Sequence, residues 1–305
     1  MEKSFSELLK ESYKSEDTEE WLDVHFTRPI GLVFALLWNK LGIHPNVITI
    51  FSIFVGMAGG CMFYYTDLAH NLLGVALLMT ANFCDSTDGQ MARLSGKKTL
   101  IGRMLDGFAG DTWFFCVYVA LFLRLWPQSI PGTEVHWGVL AFLLACAAGF
   151  YSHSPQSSLA DYYRQIHLFF LLGKEGSELD NYRQQRDIYE NLPKEKWLDR
   201  VFYFNYANYC HSQEKRTPQF QAFFAKWKSG VKPEDVRQEF LAGSRPLMKY
   251  TNLLTFNFRA IVLYVTAVLG CPWVFLLFEV FILNIMYAYM RRTHERLCER
   301  LAVKL

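Results

Sequence analysis

Long stretches without charge alternate with charged segments along the chain. Residues 47–65 and 260–278 each hold nineteen consecutive positions without a charged side chain. Apolar stretches of at least about 18 residues are typical of membrane-spanning helices. The pattern therefore predicts an all-α polytopic membrane protein with six transmembrane helices, placed near 47–65, 70–92, 98–123, 136–158, 251–270 and 272–290.

Two further segments carry their own helical patterns. Residues 28–42 have apolar positions at helical spacing, which predicts an N-terminal interfacial helix, with a short buried helix as the alternative. Residues 161–250 contain 15 Lys and Arg and 12 Asp and Glu, within helix-like patterns. The predicted regions are an N-terminal cytoplasmic and interfacial segment (1–45), transmembrane helices 1–4 (46–160), a helical cytoplasmic insert (161–250), and transmembrane helices 5–6 with a basic tail (251–305).

The positions of Lys and Arg predict the orientation in the membrane, because cytoplasmic loops collect these residues. With both termini inside, the outer loops are 66–69, 124–135 and 270–272, and of 31 basic residues only Arg124 falls in them. The net charge of +2 gives no reason to expect a nucleic-acid partner.

Four acids lie in the predicted second and third spans, all near the cytoplasmic side: Asp85, Asp88, Asp106 and Asp111. A charge inside a membrane costs roughly 2.5–3.5 kcal/mol even on the most lenient scale. Carboxylates brought together by two neighbouring helices repel each other unless a cation lies among them. Mg²⁺ or Mn²⁺ suits oxygen ligands, and two such ions balance four charges. The alternative is a set of protonated or Arg-paired structural acids.

Glycines interrupt the same helical segments, at Gly89, Gly102, Gly107 and Gly110. Each costs about 1 kcal/mol relative to Ala inside a helix. Membrane helices use small residues for close packing, which is one explanation. The other is a nucleotide or phosphate that approaches the backbone, and the neighbouring acids favour it.

The spacing Asp85-x2-Asp88-Gly89-x2-Ala92-Arg93-x8-Gly102-x3-Asp106 resembles the signature of the CDP-alcohol phosphotransferases. These are membrane enzymes with six helices that build phospholipid head groups. His44-Pro45-Asn46-x2-Thr49 is similar to the start of the first helix in that family. The resemblance covers about residues 28–160, and the 161–250 insert marks the chain as a divergent member.

The chain departs from the family pattern at one position. A fourth Asp is expected four residues after Asp106, but that residue is Gly110 and the acid is Asp111. Five residues advance a regular helix by about 500° instead of about 400°, so Asp111 would point about 100° away from the expected direction. A π-bulge between positions 106 and 111 would correct the direction, and we predict such a bulge.

The resemblance implies attack by an alcohol hydroxyl on the phosphorus next to a leaving CMP, with two Mg²⁺ or Mn²⁺ ions. It makes Asp85, Asp88, Asp106 and Asp111 metal ligands, with Asp106 and Asp111 catalytic and Asp111 accepting the proton of the hydroxyl. The predicted nucleotide contacts are Gly89, Arg93, Gly102 and Asn46.

Charged residues elsewhere in the spans add a second set of predictions. Arg259 lies about eight residues into the predicted fifth span, roughly 12 Å deep. It is predicted to bind the phosphate of an acceptor or head group, with a structural salt bridge as the alternative. The role of Glu279 is left open, with a subunit contact as one interpretation, and His153 is placed at the border of the acceptor path.

The implied substrates are a CDP-activated donor and an alcohol, which is either a lipid or a soluble compound. A homodimer in a bacterial inner membrane, with a cytoplasmic active site, is expected. One alternative is a phosphoinositol or phosphoethanolamine sphingolipid synthase, with either a CDP compound or a phospholipid as donor. Others are a catalytically silent lipid-binding scaffold, which the retained acids disfavour, and a transporter, whose inverted halves are not apparent.

Overall fold

The structure is a computed structural model that describes residues 4–13, 15, 17–96 and 100–305. These residues form an all-helical protein, so the all-α part of the predicted fold class is confirmed. The α-helices are α1 (Phe5–Glu11), α2 (Arg28–Lys40), α3 (Pro45–Met62), α4 (Leu68–Ser95), α5 (Leu100–Leu125), α6 (Gly138–Cys146), α7 (Ser154–Leu172), α8 (Tyr182–Asn191), α9 (Trp197–Arg216), α10 (Pro218–Ser229), α11 (Glu234–Ser244), α12 (Met248–Leu253), α13 (Phe256–Val268), α14 (Trp273–Leu277) and α15 (Asn284–Ala302). Three π-helical turns accompany them in the described part, at Asp23–Thr27, Ala147–His153 and Phe278–Leu283.

Five helical stretches of the described residues are long and apolar enough to cross a membrane: Pro45–Met62, Ile101–Leu125, Gly138–Leu172, Glu234–Val268 and Trp273–Ala302. The predicted second span corresponds to α4, which has 28 residues and is about 42 Å long, but its second half carries the polar motif residues. The count of six spans therefore stays a prediction. Residues 98 and 99 of the predicted third span lie outside the described residues.

The chain divides into two compact units, and the first comprises residues 1–155 and 256–283. Within it, α4 and α5 both pack against α3. Glycines of α3 permit this close approach, since a Cβ atom at Gly56 would lie 2.2 Å from the Trp113 ring and one at Gly59 would lie 2.9 Å from the Leu78 nitrogen. This close packing sets the relative positions of the helices that carry the acids.

The predicted helix at 28–42 is present as α2, which packs against α4. Its buried residues are Gly31, Leu32 and Ala35. A Cβ atom at Gly31 would lie 2.7 Å from Oε1 of Gln90, so this glycine is needed for the contact. Val33, Phe34 and Leu37 on α2 are exposed, as expected for a helix at a membrane interface.

Arg124, the basic residue predicted to lie outside, is buried at the end of α5. Its guanidinium donates hydrogen bonds to the Phe63 carbonyl at 3.3 Å and to Oδ1 of Asn71 at 2.8 Å. The residue therefore joins the ends of three helices, which explains why a cation is present on that side.

The second unit comprises residues 156–255 and 284–305. Residues 161–250 are largely helical, because they contain most of α7, α8 to α11 and the start of α12, and the cytoplasmic position of this insert stays a prediction. The helix of the predicted fourth span continues beyond residue 158, since α7 ends at Leu172. The extension buries Phe170, whose ring centroid lies 4.1 Å from that of Phe240. Contacts within the insert thus lengthen the helix.

Candidate functional site

Three of the four predicted acids converge. Asp85 and Asp88 lie one turn apart on α4 and so share a face, and Asp106 lies near the start of α5. One oxygen from each of the three carboxylates lies within 4.8 Å of the others. Asp88 is 4% exposed, Asp85 is half-buried and Asp106 is exposed, so the cluster is open on one side. We call these three residues the acid cluster.

The acid cluster has the chemistry of a divalent cation site. Two unit charges 4 Å apart repel by about 4 kcal/mol at an effective dielectric constant of about 20, so three carboxylates at this spacing need a compensating charge. The Oδ1 atom of Asp85 is buried and accepts no hydrogen bond from the described residues. A hard cation such as Mg²⁺ or Mn²⁺ binds oxygen ligands, and this buried oxygen of Asp85 is available as one of them.

Thr49 supports the acid cluster from α3. Its hydroxyl donates a hydrogen bond of 2.5 Å to Oδ2 of Asp88, and both side chains are buried. His44 caps the same helix, with Nδ1 accepting from the Asn46 backbone N–H at 3.2 Å. The sequence motif included Thr49, but no role was assigned to it, so this functional residue was missed. The nucleotide contact predicted for Asn46 stays a prediction.

Arg93 and Gln90 join the motif helix to the N-terminal segment. Arg93 Nε donates a hydrogen bond of 2.6 Å to the Ser12 carbonyl, and Gln90 Nε2 donates one of 2.9 Å to the Arg28 carbonyl. These bonds hold the segment before α2 over the second half of α4. The nucleotide contact predicted for Arg93 stays a prediction.

Among the described residues, Gly89, Gly107 and Gly110 do not serve close packing between helices. A Cβ atom at Gly107 or Gly110 would meet no heavy atom of this part of the chain within 4 Å. At Gly89 its nearest neighbours would all belong to the Arg93 guanidinium, at 3.3 Å and beyond. The contrast with Gly56 and Gly59 favours the second explanation given above, in which a ligand approaches the backbone. Gly102 lies within α5, where the prediction of a nucleotide contact stands untested.

The predicted π-bulge is wrong, because α5 is a regular α-helix from Leu100 to Leu125. Asp111 consequently lies outside the acid cluster. Its side chain is 60% exposed, and its Oδ1 atom lies 3.9 Å from Nε2 of His153. The helical distortions occur instead at Ala147–His153 and Phe278–Leu283, so the partner helices are irregular while α5 is not. With three clustered charges, the argument for two ions no longer follows from charge balance.

Several buried polar side chains surround His153. Arg259 is 1% exposed, and its Nη1 donates a hydrogen bond of 2.8 Å to Oε2 of Glu279, which is fully buried. The same Nη1 atom donates to Nδ1 of His153, and the Tyr118 hydroxyl lies 3.1 Å from that nitrogen. The salt bridge, which was the alternative to phosphate binding for Arg259, is therefore present. We call Arg259, Glu279, His153 and Tyr118 the arginine group.

Arg259 also lies closer to the start of its helix than predicted. The fifth span was expected to begin at residue 251, but α12 ends at Leu253 and α13 begins at Phe256. Arg259 is therefore in the first turn of its helix. Its partners His153 and Glu279 both lie on π-helical turns.

The family comparison agrees with this site. The family model described as CDP-alcohol phosphatidyltransferase matches residues 42–170, a segment that contains α3 to α6, most of α7 and the whole acid cluster. A search of curated proteins finds no match to the chain. Together with the apolar helices, the match supports an integral membrane protein with a transferase-type domain. Residues 42–170 thus form a domain that matches the CDP-alcohol phosphatidyltransferase family.

Proposed function

We propose that the protein moves a phosphatidyl or phospho-alcohol group from a CDP-activated donor to an alcohol, with release of CMP. The observation that carries this proposal is the convergence of Asp85, Asp88 and Asp106 within 4.8 Å beside glycines that face open space. A silent scaffold would not need clustered carboxylates that repel one another.

The residues would divide the work as follows. A divalent ion held by the acid cluster would neutralise charge on the donor phosphates and favour departure of CMP. Thr49 keeps one oxygen of Asp88 oriented. Gly89, Gly107 and Gly110 leave room for the nucleotide and the acceptor along α4 and α5. Asp111, exposed and outside the acid cluster, is the group that accepts the proton of the attacking hydroxyl.

The proposal also includes the setting of the reaction. The distribution of Lys and Arg supports an active site that faces the cytoplasm. We expect a homodimer in a bacterial inner membrane, with the 161–250 insert on the cytoplasmic side. Labelling of cysteines introduced at the exposed positions Val231 and Val135 with an impermeant reagent tests the orientation, since only the first should be protected in sealed cells.

The function is tested with purified protein in detergent, Mg²⁺ or Mn²⁺, and matched pairs of donor and acceptor. CDP-diacylglycerol with soluble alcohols is compared with soluble CDP-alcohols and a lipid hydroxyl, and CMP is measured. A pair that releases CMP only with the metal supports the proposal and identifies the donor class. Metal binding without turnover of any pair would favour the scaffold, and transfer from a phospholipid without CMP would favour the sphingolipid synthase.

Replacing Thr49 with Val is expected to raise the Mg²⁺ concentration for half-maximal CMP release at least about tenfold. A hydrogen bond to a charged group is worth about 1.5–3 kcal/mol, and the valine leaves Asp88 without its donor. Titration with Mg²⁺ measures the effect. Thr49→Ser keeps the hydroxyl and should behave like the wild type, as should Thr266→Val, because the Thr266 hydroxyl donates only to backbone carbonyls. Equal metal dependence in both Thr49 variants would refute the role.

Replacing Gly110 with Asp is expected to lower the half-saturating Mn²⁺ concentration several-fold. Position 110 lies about 40° around α5 from Asp106, so the new carboxylate would join the face of the acid cluster. The space around Gly110 admits the side chain. Gly107→Asp is the matched control, because position 107 is equally open but about 100° away from Asp106. An equal change in both variants would contradict the geometry.

A further inference from the structure

The arginine group is buried polar structure that the chemistry described so far does not use. Arg259 and Glu279 are both almost completely buried, and the arrangement extends through His153 to the edge of Asp111. Burying such groups within membrane helices is costly, so they usually mark functional positions. The π-helical turns that carry His153 and Glu279 are a second sign of function, because π-turns cluster at functional sites.

The hydrogen bonds of His153 determine which of its nitrogens carries a proton. A guanidinium has only donors, so the bond from Arg259 makes Nδ1 of His153 an acceptor. A neutral imidazole with Nδ1 as acceptor carries its hydrogen on Nε2. A proton on Nδ1 would point at the guanidinium. His153 is thus a neutral hydrogen-bond donor at Nε2, and that atom faces Asp111.

Asp111 is the residue displaced by one position from the family pattern. Its Oδ1 atom lies 3.9 Å from Nε2 of His153, which is longer than a hydrogen bond by less than 1 Å. Catalytic hydrogen bonds are often loose without substrate and shorten in the reacting complex. The regular α5 helix directs this carboxylate toward His153 and away from the acid cluster.

We propose that His153 is a positioning residue for Asp111, held in its Nε2–H form by Arg259 and Glu279. This inference rests on the proposed function. The acceptor hydroxyl forms the new O–P bond, the P–O bond to CMP breaks, and the hydroxyl proton passes to Asp111. His153 donates to one oxygen of Asp111 and leaves the other free for that proton, and His153 stays neutral. The exposed carboxyl then returns the proton to water.

A first experiment reads the histidine without turnover. Full-length protein labelled with ¹⁵N-histidine is studied by NMR in detergent micelles, and the His153 signals are assigned by their loss in His153→Gln. The expected spectrum has a protonated Nε2 and an unprotonated Nδ1, unchanged in Asp111→Asn because Arg259 sets the form. A protonated Nδ1, or a mixture of both forms, would overturn the proposal.

A second experiment measures coupling. His153→Leu is expected to lower kcat about 30-fold in the wild type but less than twofold in an Asp111→Asn background, because a positioning residue acts through its target. His153→Gln, whose amide also donates, should remain within about fivefold of wild type. The acceptor KM, Mn²⁺ affinity and melting temperature of His153→Gln should not change.

The control is His167→Gln, because His167 is buried in the second unit and bonds to Ser244 at 2.7 Å. It should lower kcat equally in both backgrounds, if at all. Equal losses for His153→Leu in both backgrounds would overturn the positioning role while CMP release by the wild type still upholds the proposed function. Wild-type protein that releases no CMP with any donor overturns the proposed function and the inference with it.

Discussion

Replacing Asp88 with Asn is expected to lower metal-dependent CMP release by about 1,000-fold, equivalent to about 4 kcal/mol of activation free energy. Asp88 is the most buried member of the acid cluster, and the Thr49 hydroxyl donates a hydrogen bond to it. The amide keeps the shape of the side chain but removes the charge that would hold the cation. Steady-state CMP release measures the loss of turnover, and Mn²⁺ binding to the same preparation measures the loss of metal affinity.

The control for this variant is Asp187→Asn, which removes an exposed acid on α8 and should leave both quantities unchanged. A stability measurement separates lost chemistry from lost folding. Since the three carboxylates repel each other, Asp88→Asn should raise the melting temperature of the metal-free protein, whereas a misfolded variant would melt lower. Wild-type turnover in Asp88→Asn would remove the basis for the proposed function.

The acid cluster was predictable from the sequence because its members lie on regular helices. Asp85 and Asp88 are three residues apart, and a helix places such residues on one face whatever surrounds it. The convergence with Asp106 followed from the resemblance of the motif. Thr49 was present in that motif, but only the structure shows that its hydroxyl contacts Asp88.

The position of Asp111 was not predictable in the same way. The sequence shows that the acid is one residue late, and a bulge in α5 was the simplest correction. The structure leaves α5 regular and places π-helical turns in the segments opposite, which carry His153 and Glu279. Such turns depend on packing between helices that are distant in sequence, and local propensity does not encode that packing.

Helix ends were predicted less well than helix positions. The helix of the predicted fourth span continues past residue 158, where Phe170 packs on insert helices, and apolar runs alone do not reveal this packing. The helix of the predicted fifth span is interrupted, because a turn separates α12 from α13. There the Thr255 hydroxyl donates a hydrogen bond of 2.7 Å to the Asn252 carbonyl, and such local bonds compete with helical ones.

Replacing Arg259 with Met is expected to destabilise the protein by about 3–5 kcal/mol, the usual cost of removing one partner from a buried ion pair. Glu279 is fully buried and would lose the cation that lies 2.8 Å from it. Melting of the purified protein in detergent measures the loss, and the yield of folded protein should fall with it. Arg259→Lys keeps a cation and should lose less.

The double variant Arg259→Met with Glu279→Gln distinguishes a charge effect from a packing effect. If the uncompensated carboxylate causes the loss, neutralising it should recover part of the melting temperature, so the two changes should not add. Arg186→Met is the matched control, because Arg186 forms a pair of similar length, 2.7 Å, with Glu190 on α8, where both side chains are partly exposed. Exposed pairs contribute little, so its melting temperature should stay at the wild-type value. Additive losses at Arg259 and Glu279 would show that the buried pair is held by packing, and the arrangement around His153 would then lose its electrostatic basis.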